Sequence, residues 1–394
     1  MTTDTRPAID RAITRPARWR RLNPATVVVW RAPDVVQLEL GDRRVTVSNV
    51  RPEHMSALMP LRGGHWPGEP APAPESSLSD REERCSPGTS TDDRLPDRRA
   101  RSRPRPLHGE ALELAEELHR AGFLTRPIAR RMPPARLPAY LNADLDALLG
   151  RYGDEGPAVM ARRRRSAVAV HGTSRITTTL AATLAGAGIG QVQLVDGGDV
   201  AAADSCPGGL SYADEGSRFR ISGVAAIRRS SPDVVTAPIG AGRFADLVIL
   251  TDPVPVEPAI RDSLHLDGLA HLSVAVHGSR AVIGPLVIPG RSSCLRCADL
   301  HRSERDPCWP ALAVQLAARA KHRAISEVAL CVATAGLAAG QALSYIDGQR
   351  PETIGGTVEW QLPEWRLRRR SWPPHQECDC GAALNPIEDG RMGL

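Results

Sequence analysis

The sequence predicts an α/β protein in which a mainly parallel sheet is preceded by a small α+β module. Two observations predict the sheet. An apolar run at residues 166–170 is followed by a turn, a helix-forming stretch and a second apolar run at residues 192–195, which is the order of a parallel β-α-β unit. Aromatic residues make up only 4% of the chain although 42% of residues are hydrophobic, so Ala, Val, Leu and Ile must form most of the core, as they do in helices packed on a buried parallel sheet.

The composition limits the classes of function. At 394 residues the chain is long enough for two domains. The net charge of +5 is carried almost wholly by arginine, with Lys321 as the single lysine. Because alanine and proline are also abundant, as in proteins from GC-rich genomes, this charge does not indicate a nucleic-acid partner. No stretch reaches the roughly 18 uninterrupted apolar residues of a membrane span, and residues 1–21 lack an apolar signal segment. We expect a cytoplasmic protein with no membrane and no nucleic-acid partner.

Short strands near the start of the chain predict the small module. Residues 26–30, 36–40 and 44–47 are rich in valine and leucine, with a Gly-Asp turn between the last two. A short helix is expected at residues 52–61 and an amphipathic helix at residues 110–121. These elements make a compact α+β unit.

Changes in composition set the boundaries of this module. Residues 1–21 are predicted to be disordered, and residues 64–107 are predicted to be a disordered insertion because they are rich in Pro, Ser, Asp and Arg. The module therefore spans residues 22–126, and a helical bridge follows at residues 127–160. Five leucines form the apolar face of that bridge: Leu137, Leu141, Leu145, Leu148 and Leu149.

Strands followed by a helix, and then by a second helix that ends in Ala-Gly-Phe-Leu, resemble a winged-helix module. More narrowly, they resemble the PqqD-like precursor-recognition domains of peptide-maturation proteins. In that family a leader peptide adds a strand to an exposed sheet edge. The resemblance implies a precursor peptide as partner. A plain docking domain is the alternative, and a DNA-binding winged helix is disfavoured because the insertion interrupts the module.

The turn after the first buried strand is the expected position of a nucleotide phosphate. Gly172 lies in this turn, and the second strand ends in Asp196, where an acid can bind a ribose hydroxyl. A Gly-x-Gly-x-x-Gly loop needs further glycines, but this chain has Ser174 and Thr177 at those places. Because glycines let backbone amides approach phosphate, their replacement argues against tight pyrophosphate binding. A plain dehydrogenase is therefore disfavoured.

Two close cysteine pairs predict a structural zinc site. The pairs are Cys294 with Cys297 and Cys378 with Cys380, and a glycine turn lies beside each. Two short loops that each supply two thiolates suit tetrahedral zinc. A redox dithiol, a disulfide or small buried hydrophobic residues are the alternatives. His301 and His375 are candidates to replace one of the thiolates.

Further strands complete an α/β domain that resembles a known superfamily. A strand at residues 245–252 ends in Asp252, and a strand pair at residues 271–276 and 281–287 leads into Gly-Pro-x-x-x-Pro-Gly-x-x-x-Cys-x-x-Cys. Together with the segment Asp196-x-x-Asp199, this order resembles the ThiF/MoeB/HesA superfamily, the fold of ubiquitin-activating-type adenylating enzymes. The resemblance implies a Rossmann-like domain, assigned to residues 161–383, in which the four cysteines clamp the C-terminal segment. Residues 384–394 are expected to be a flexible tail.

That superfamily uses ATP to adenylate the carboxyl terminus of a small protein or peptide. The resemblance implies that Asp196 lies at the ribose and Asp252 at magnesium, with Gly172 and Asp199 in the same cofactor site. Ordinary turn acids at strand ends are the alternative. The superfamily's Asn-Leu-x-Arg-Gln segment is replaced here by residues 203–209, and its phosphate-binding lysine falls near residues 218–220, where this chain has none. We therefore expect a degenerate site in which binding of ATP and magnesium is disfavoured, and we assign no catalytic residue.

Other reactive or charged residues have simpler interpretations. Cys206 is an alternative thioester nucleophile, but no histidine lies near it in the sequence to activate it. Cys308 and Cys331 are expected to be loop or core residues. The arginine run at residues 162–165 predicts a solvated edge, with a nucleotide phosphate contact as the alternative.

One function accommodates both halves of the chain. By resemblance to actinobacterial cyclodehydratase-partner proteins of azole-modified peptide biosynthesis, the module would hold a precursor leader, and the degenerate domain would present the precursor to a YcaO-type enzyme. The competing hypothesis is an active ATP-dependent adenylyltransferase that acts on a sulfur-carrier or ubiquitin-like protein. The resemblance also implies a homodimer.

Overall fold

The computed structural model describes residues 21–51, 54–55, 110–125, 137–240, 242–251, 255–319 and 326–384. The chain divides into two compact units, one comprising Met1–Arg136 with Leu145–Pro157 and the other comprising Leu137–Asp144 with Ala158–Leu394. Four predictions fall wholly or almost wholly outside the described residues: the disordered N-terminus, the insertion at 64–107, the role of Asp252 and the C-terminal tail.

The first unit contains a three-stranded antiparallel sheet and a helix. Its elements are β1 (Arg21–Leu22), β2 (Val27–Ala32), β3 (Val35–Leu40), β4 (Arg43–Val47), α1 (Glu110–Arg120) and β5 (Leu124–Thr125). Strand β3 is central, and its period of two places Val36 and Leu38 in the core against Leu114 and Leu118 of α1. Gly122, with φ of +81°, ends the helix as expected.

The winged-helix assignment stays a prediction. The helix expected at residues 52–61 is described only at His54 and Met55, which are helical. The three described strands and α1 agree with the predicted α+β module.

The predicted helical bridge consists of two α-helices, α2 (Asn142–Tyr152) and α3 (Gly156–Arg165). Helix α3 continues beyond the predicted domain boundary at residue 161. The leucines of the predicted apolar face are buried, except that Leu137 is half-buried. The solvated edge predicted for the arginine run is right for Arg162 and Arg165 but wrong for Arg163, which is buried because its guanidinium pairs with Asp347.

The second unit is built on a seven-stranded sheet. Its strands are β6 (Ala167–His171), β7 (Gln191–Leu194), β8 (Leu247–Leu250), β9 (His271–His277), β10 (Arg280–Val287), β11 (Gly356–Gln361) and β12 (Arg368–Ser371). Its further helices are α4 (Thr177–Gly186), α5 (Phe219–Ser230), α6 (Pro258–Leu266), α7 (Leu295–Arg305), α8 (Trp309–Arg319) and α9 (Val328–Ile346).

The order of this sheet is β12-β11-β10-β9-β8-β6-β7. Strands β6, β7, β8 and β9 are mutually parallel, which confirms the predicted β-α-β unit, and β10, β11 and β12 continue the sheet in antiparallel pairs. The sequence did not indicate β11 and β12. The architecture is mixed α/β, with a parallel half that carries the expected nucleotide position.

Buried side chains occupy both faces of the sheet. In β8, Leu247 and Ile249 belong to one core cluster with residues of α4, α5 and α9, whereas Val248 and Leu250 belong to a second cluster that includes the four paired cysteines. Since neighbouring residues of a strand point to opposite faces, the two clusters lie on opposite sides of the sheet. The cysteines and the helices α4 and α5 are therefore separated by the sheet.

Helix α9 is the one helix among the described residues that is long and apolar enough to cross a membrane. Half of it is buried, and its alanines belong to the main core cluster. Its hydropathy is that of a core helix, and the cytoplasmic location stays a prediction.

A buried histidine in the sheet predicts a dependence of stability on pH. His271 is 1% exposed; its Nδ1 lies 2.9 Å from the Leu269 carbonyl, to which it donates, and its Nε2 has no partner among the described residues. Burial lowers the pKa of His271 to about 4, and the nearby His265 acts in the same direction. Because the unfolded chain binds this proton at a pKa of about 6.5, its stabilising contribution is complete above that pH and declines as the pH falls towards 4.

We expect the free energy of unfolding of the wild type to fall by about 3 kcal/mol more than that of His271→Gln between pH 7 and pH 4. Urea denaturation at several pH values measures the difference. Parallel curves for the two proteins would show that His271 does not contribute.

Candidate functional site

The two cysteine pairs meet in a buried cluster. Cys294 precedes α7 and Cys297 lies in its first turn, whereas Cys378 and Cys380 come from the segment after β12. All four sulfurs lie within 4.8 Å of one another, and no side chain in the cluster is more than 9% exposed. The measured Sγ separations are 3.8 Å for Cys294 and Cys297, and 3.6 Å both for Cys294 with Cys378 and for Cys297 with Cys380.

The donor set and the spacing of this cluster fit zinc. A tetrahedron of sulfurs with Zn–S bonds of 2.3 Å has edges of about 3.8 Å. Every cysteine that the structure describes is a free thiol, so no disulfide competes for these sulfurs within that part of the chain. The four cysteines could therefore hold a metal ion, and a tetrahedral set of four thiolates suits zinc or iron.

Hydrogen bonds within the cluster favour a thiolate at Cys297. The bond from the Cys294 thiol lowers the pKa of Cys297, and backbone hydrogen bonds with His375 and Cys294 act in the same direction. The hydrogen bond with the Cys297 sulfur nevertheless raises the pKa of Cys294, and burial raises the pKa of Cys378. Four buried thiols cannot all ionise at this spacing without a cation, because like charges repel at short range. A divalent metal supplies the missing positive charge.

The two histidines considered as alternative ligands lie beside the cluster and bind Glu304 instead. His301 Nδ1 and His375 Nε2 lie 3.1 Å and 2.9 Å from the two carboxylate oxygens. The Glu377 backbone N–H donates to His375 Nδ1, so Nε2 carries the proton and has no lone pair for a metal. The group therefore acts as a hydrogen-bonded brace between α7 and the segment that carries Cys378.

The expected nucleotide position lies at the carboxyl ends of β6 and β7. Gly172, with φ of +101°, donates its N–H to Asp196 Oδ2 at 2.6 Å, and the Asp196 side chain is 46% exposed. His171 Nδ1 lies 3.6 Å from the same oxygen, and burial lowers its pKa. Asp199 forms an ion pair with Arg218 at 2.9 Å. The structure thus brings Gly172 and Asp196 together, whereas Asp252 lies outside the described residues.

Hydroxyl groups occupy the places of the missing glycines. Ser174 Oγ lies 3.1 Å from Thr177 Oγ1, which lies 2.6 Å from Thr251 Oγ1, and Thr251 donates to the His171 carbonyl. Thr177 is fully buried. The hydroxyls therefore satisfy one another within the protein and are not presented to a phosphate.

The loop at residues 205–210 packs against the first turn of α4. Leu210 N–H donates to Thr178 Oγ1 at 3.2 Å, and Thr179 Oγ1 donates to the Pro207 carbonyl at 3.1 Å. A Cβ at Gly209 would lie 2.4 Å from Thr178 Oγ1, so only glycine fits there. Phosphates in β-α-β units bind at this helix end. Here the loop packs against the first turn of the helix, next to that position.

Arg175 holds this loop in place. Its Nε donates to the Ser205 carbonyl and one terminal nitrogen donates to the Ser326 carbonyl, both at 2.8 Å. Sequence reasoning missed this closure. The sequence feature that could have indicated this closure is the Thr177-Thr178-Thr179 run, because its hydroxyls form hydrogen bonds in place of the backbone amides of a glycine loop.

The Cys206 thiol belongs to the same loop and is 2% exposed. Burial raises its pKa. A protonated, inaccessible thiol is a weak nucleophile, so the geometry does not favour the thioester alternative. Burial also raises the pKa of Cys331 to about 11, as expected for a core residue, whereas Cys308 is exposed.

Solved structures share this arrangement of elements. The structure of E. coli MccB with the peptide MccA-N7isoASN has a TM-score of 0.60 at 12% identity, covering 92% of this chain and 99% of that chain. The E. coli MccB complex with ATP gives 0.60 at 11% identity over the same shares. The fold is ThiF-like. A selenomethionine structure of PaaA matches with a TM-score of 0.50 at 18% identity, covering 66% of this chain and 91% of that chain.

The likeness is one of structure alone. No protein-family model matches the chain, and no curated protein sequence matches it significantly.

Proposed function

We propose that this protein is a peptide-maturation scaffold, which binds the leader of a precursor peptide and presents the precursor to an ATP-using YcaO-type cyclodehydratase. The observation that carries the proposal is the closed first turn of α4. Thr177, Thr178 and Thr179 are buried there beneath the loop that Arg175 fixes. Because these three residues are buried, the first turn of α4 offers a nucleotide phosphate little surface to bind. In this proposal the domain supplies a binding surface and its partner supplies the chemistry.

The small N-terminal sheet suits the leader. Among the described residues strand β2 lies at the edge of its sheet, and its Val27 and Val29 side chains are 55% and 47% exposed. Unpaired backbone groups beside exposed apolar side chains favour addition of a peptide strand. Structures of E. coli MccB contain the peptide MccA, which supports a peptide as the class of ligand.

In this proposal zinc has a structural role. The residues that would hold it are Cys294, Cys297, Cys378 and Cys380, and the ion would supply charge neutralisation and four bonds between α7 and the C-terminal segment. A cytoplasmic homodimer completes the proposal.

The second candidate is an ATP-dependent adenylyltransferase acting on a sulfur-carrier or ubiquitin-like protein. Asp196 favours it, because its carboxylate is 46% exposed and accepts the Gly172 N–H as a ribose-binding acid would. Structures of E. coli MccB with ATP and with AMPCPP are compatible with it.

Nucleotide binding separates the two candidates. For the scaffold we expect isothermal titration with ATP·Mg to give no heat at micromolar concentrations, and pyrophosphate exchange to stay at background. Asp196→Asn is the matched control, because it removes the carboxylate beside Gly172 without changing the size of the side chain. Micromolar binding with exchange, lost in Asp196→Asn, would refute the scaffold and establish the adenylyltransferase.

A further inference from the structure

Helix α5 carries an apolar stripe on its solvent-facing side. Phe219 is buried, but Ile221 is 70% exposed, and Val224 and Ala225 follow at helical spacing, with Arg228 one turn further. A surface helix normally places polar residues on this side. Exposed apolar side chains in a row indicate a contact surface.

The stripe forms one wall of a cleft of about 760 Å³, which Gly197 and Gly198 close on the other side. Three arginines line the cleft, namely Arg218, Arg220 and Arg228, and no carboxylate lines it. Its volume lies in the range of ligand sites, about 300–1,000 Å³. The cleft is therefore both apolar and positively charged.

The three guanidinium groups differ in the ion pairs and hydrogen bonds that they form within the protein. Arg218 pairs with Asp199 at 2.9 Å, and Arg228 donates to Thr236 Oγ1 at 3.0 Å. Arg220 forms no ion pair with any residue that the structure describes. Its aliphatic stem lies along Gly197, where a Cβ would be 3.5 Å from Arg220 Cδ. The Arg220 guanidinium group can therefore form an ion pair with an acidic group of another molecule.

We propose that this cleft binds an acidic, partly apolar peptide segment, with a carboxylate on Arg220 and an apolar side chain on Ile221. The inference rests on the proposed function in that it takes the ligand to be a peptide. It adds a second contact, on the ThiF-like unit, to the leader contact on the N-terminal sheet.

The chemistry of the cleft favours a peptide over a nucleotide. Guanidinium groups bind carboxylates and phosphates alike through paired hydrogen bonds, so the apolar stripe and the lining of the cleft must separate the two ligands. From Ile221 to Arg228 the helix rises about 10 Å, which matches about three residues of an extended peptide. The cleft has no aromatic lining side chain on which a base could stack. Alternating acidic and apolar side chains would satisfy the arginines and the stripe together.

Fluorescence anisotropy on the full chain tests the proposal. The probe is a fluorescein-labelled nine-residue peptide of alternating glutamate and leucine, and the comparison peptide has lysine in place of glutamate. We expect the acidic peptide alone to bind, with a Kd that rises about tenfold or more in Arg220→Glu and in Ile221→Glu. The matched control is Arg366→Glu, an exposed arginine in the β11–β12 connection with the same change of net charge.

Two results would overturn the proposal. If Arg366→Glu weakens binding as much as Arg220→Glu, the peptide senses only the net charge. If ATP·Mg binds in a manner that Arg220→Glu abolishes, while the acidic peptide does not bind, the cleft is a nucleotide site. If neither the acidic peptide nor ATP·Mg binds, the peptide site is rejected and the scaffold function is unaffected. If the peptide binds and the protein also catalyses pyrophosphate exchange, the scaffold function is rejected and the peptide site is unaffected.

Discussion

Replacing Cys294 with serine is expected to abolish metal binding. Wild-type protein should contain about one zinc per chain, and Cys294→Ser should contain almost none, because three thiolates and a hydroxyl bind zinc far more weakly than four thiolates. Structural zinc contributes on the order of 10 kcal/mol of binding free energy in small zinc domains. We expect a loss of several kcal/mol here, since the sheet keeps its own apolar core.

Inductively coupled plasma mass spectrometry gives the zinc content, and thermal unfolding with and without a chelator gives the stability. Cys308→Ser is the matched control, because Cys308 is an exposed thiol outside the cluster. Should Cys294→Ser not fold, stripping the wild type with a chelator provides the same comparison. Equal zinc contents in wild type and Cys294→Ser, or a wild type that contains no zinc, would refute the predicted zinc site.

Replacing Asp347 with asparagine is expected to cost about 3–5 kcal/mol of unfolding free energy. Arg163 Nε and one terminal nitrogen donate to the two Asp347 oxygens at 2.8 Å and 2.6 Å, and the two side chains are 6% and 0% exposed. The substitution leaves a guanidinium charge buried with a neutral partner, and this desolvated charge dominates the loss. The further hydrogen bond from Arg163 to the Ala187 carbonyl holds the guanidinium where it is.

Urea denaturation measures this loss of unfolding free energy. Two further variants test whether the unpaired buried charge causes it. Asp199→Asn breaks an ion pair whose side chains are 72% and 66% exposed, and should cost less than about 1 kcal/mol. The double variant Arg163→Met with Asp347→Leu removes both charges and should recover much of the loss. An Asp347→Asn protein as stable as the wild type would mean that the buried pair contributes nothing.

The parallel half of the fold was predictable because its signals are local. Buried parallel strands are short apolar runs, and residues 167–170 and 247–250 are such runs, while Val192 and Leu194 flank a single glutamine. The cysteine cluster was predictable for the same reason, since Cys294 and Cys297 are three residues apart. Strand β12 was not, because four consecutive exposed residues, three of them arginines, carry neither an apolar run nor an alternation.

The burial and hydrogen bonding of the candidate-site residues depend on side chains that are distant in sequence. Arg163 is one of four consecutive arginines, and its burial is decided by Asp347, 184 residues away. The missing glycines were visible in the sequence, and the weak nucleotide binding that they indicate stays a prediction. What replaced them was not visible, because Thr177 meets Thr251 across 74 residues and Arg175 meets Ser326 across 151.

The contact between Cys294 and Cys378 joins points 84 residues apart, so the intervening chain is a closed loop. That loop contains the core helix α9, strand β11 and the edge strand β12. A metal bridging its ends would act as a removable crosslink, whose effect falls on the unfolded chain by lowering its entropy. In that case the stability of β11 and β12 would depend on the supply of one ion, whereas β6, β7 and β8 lie outside the loop.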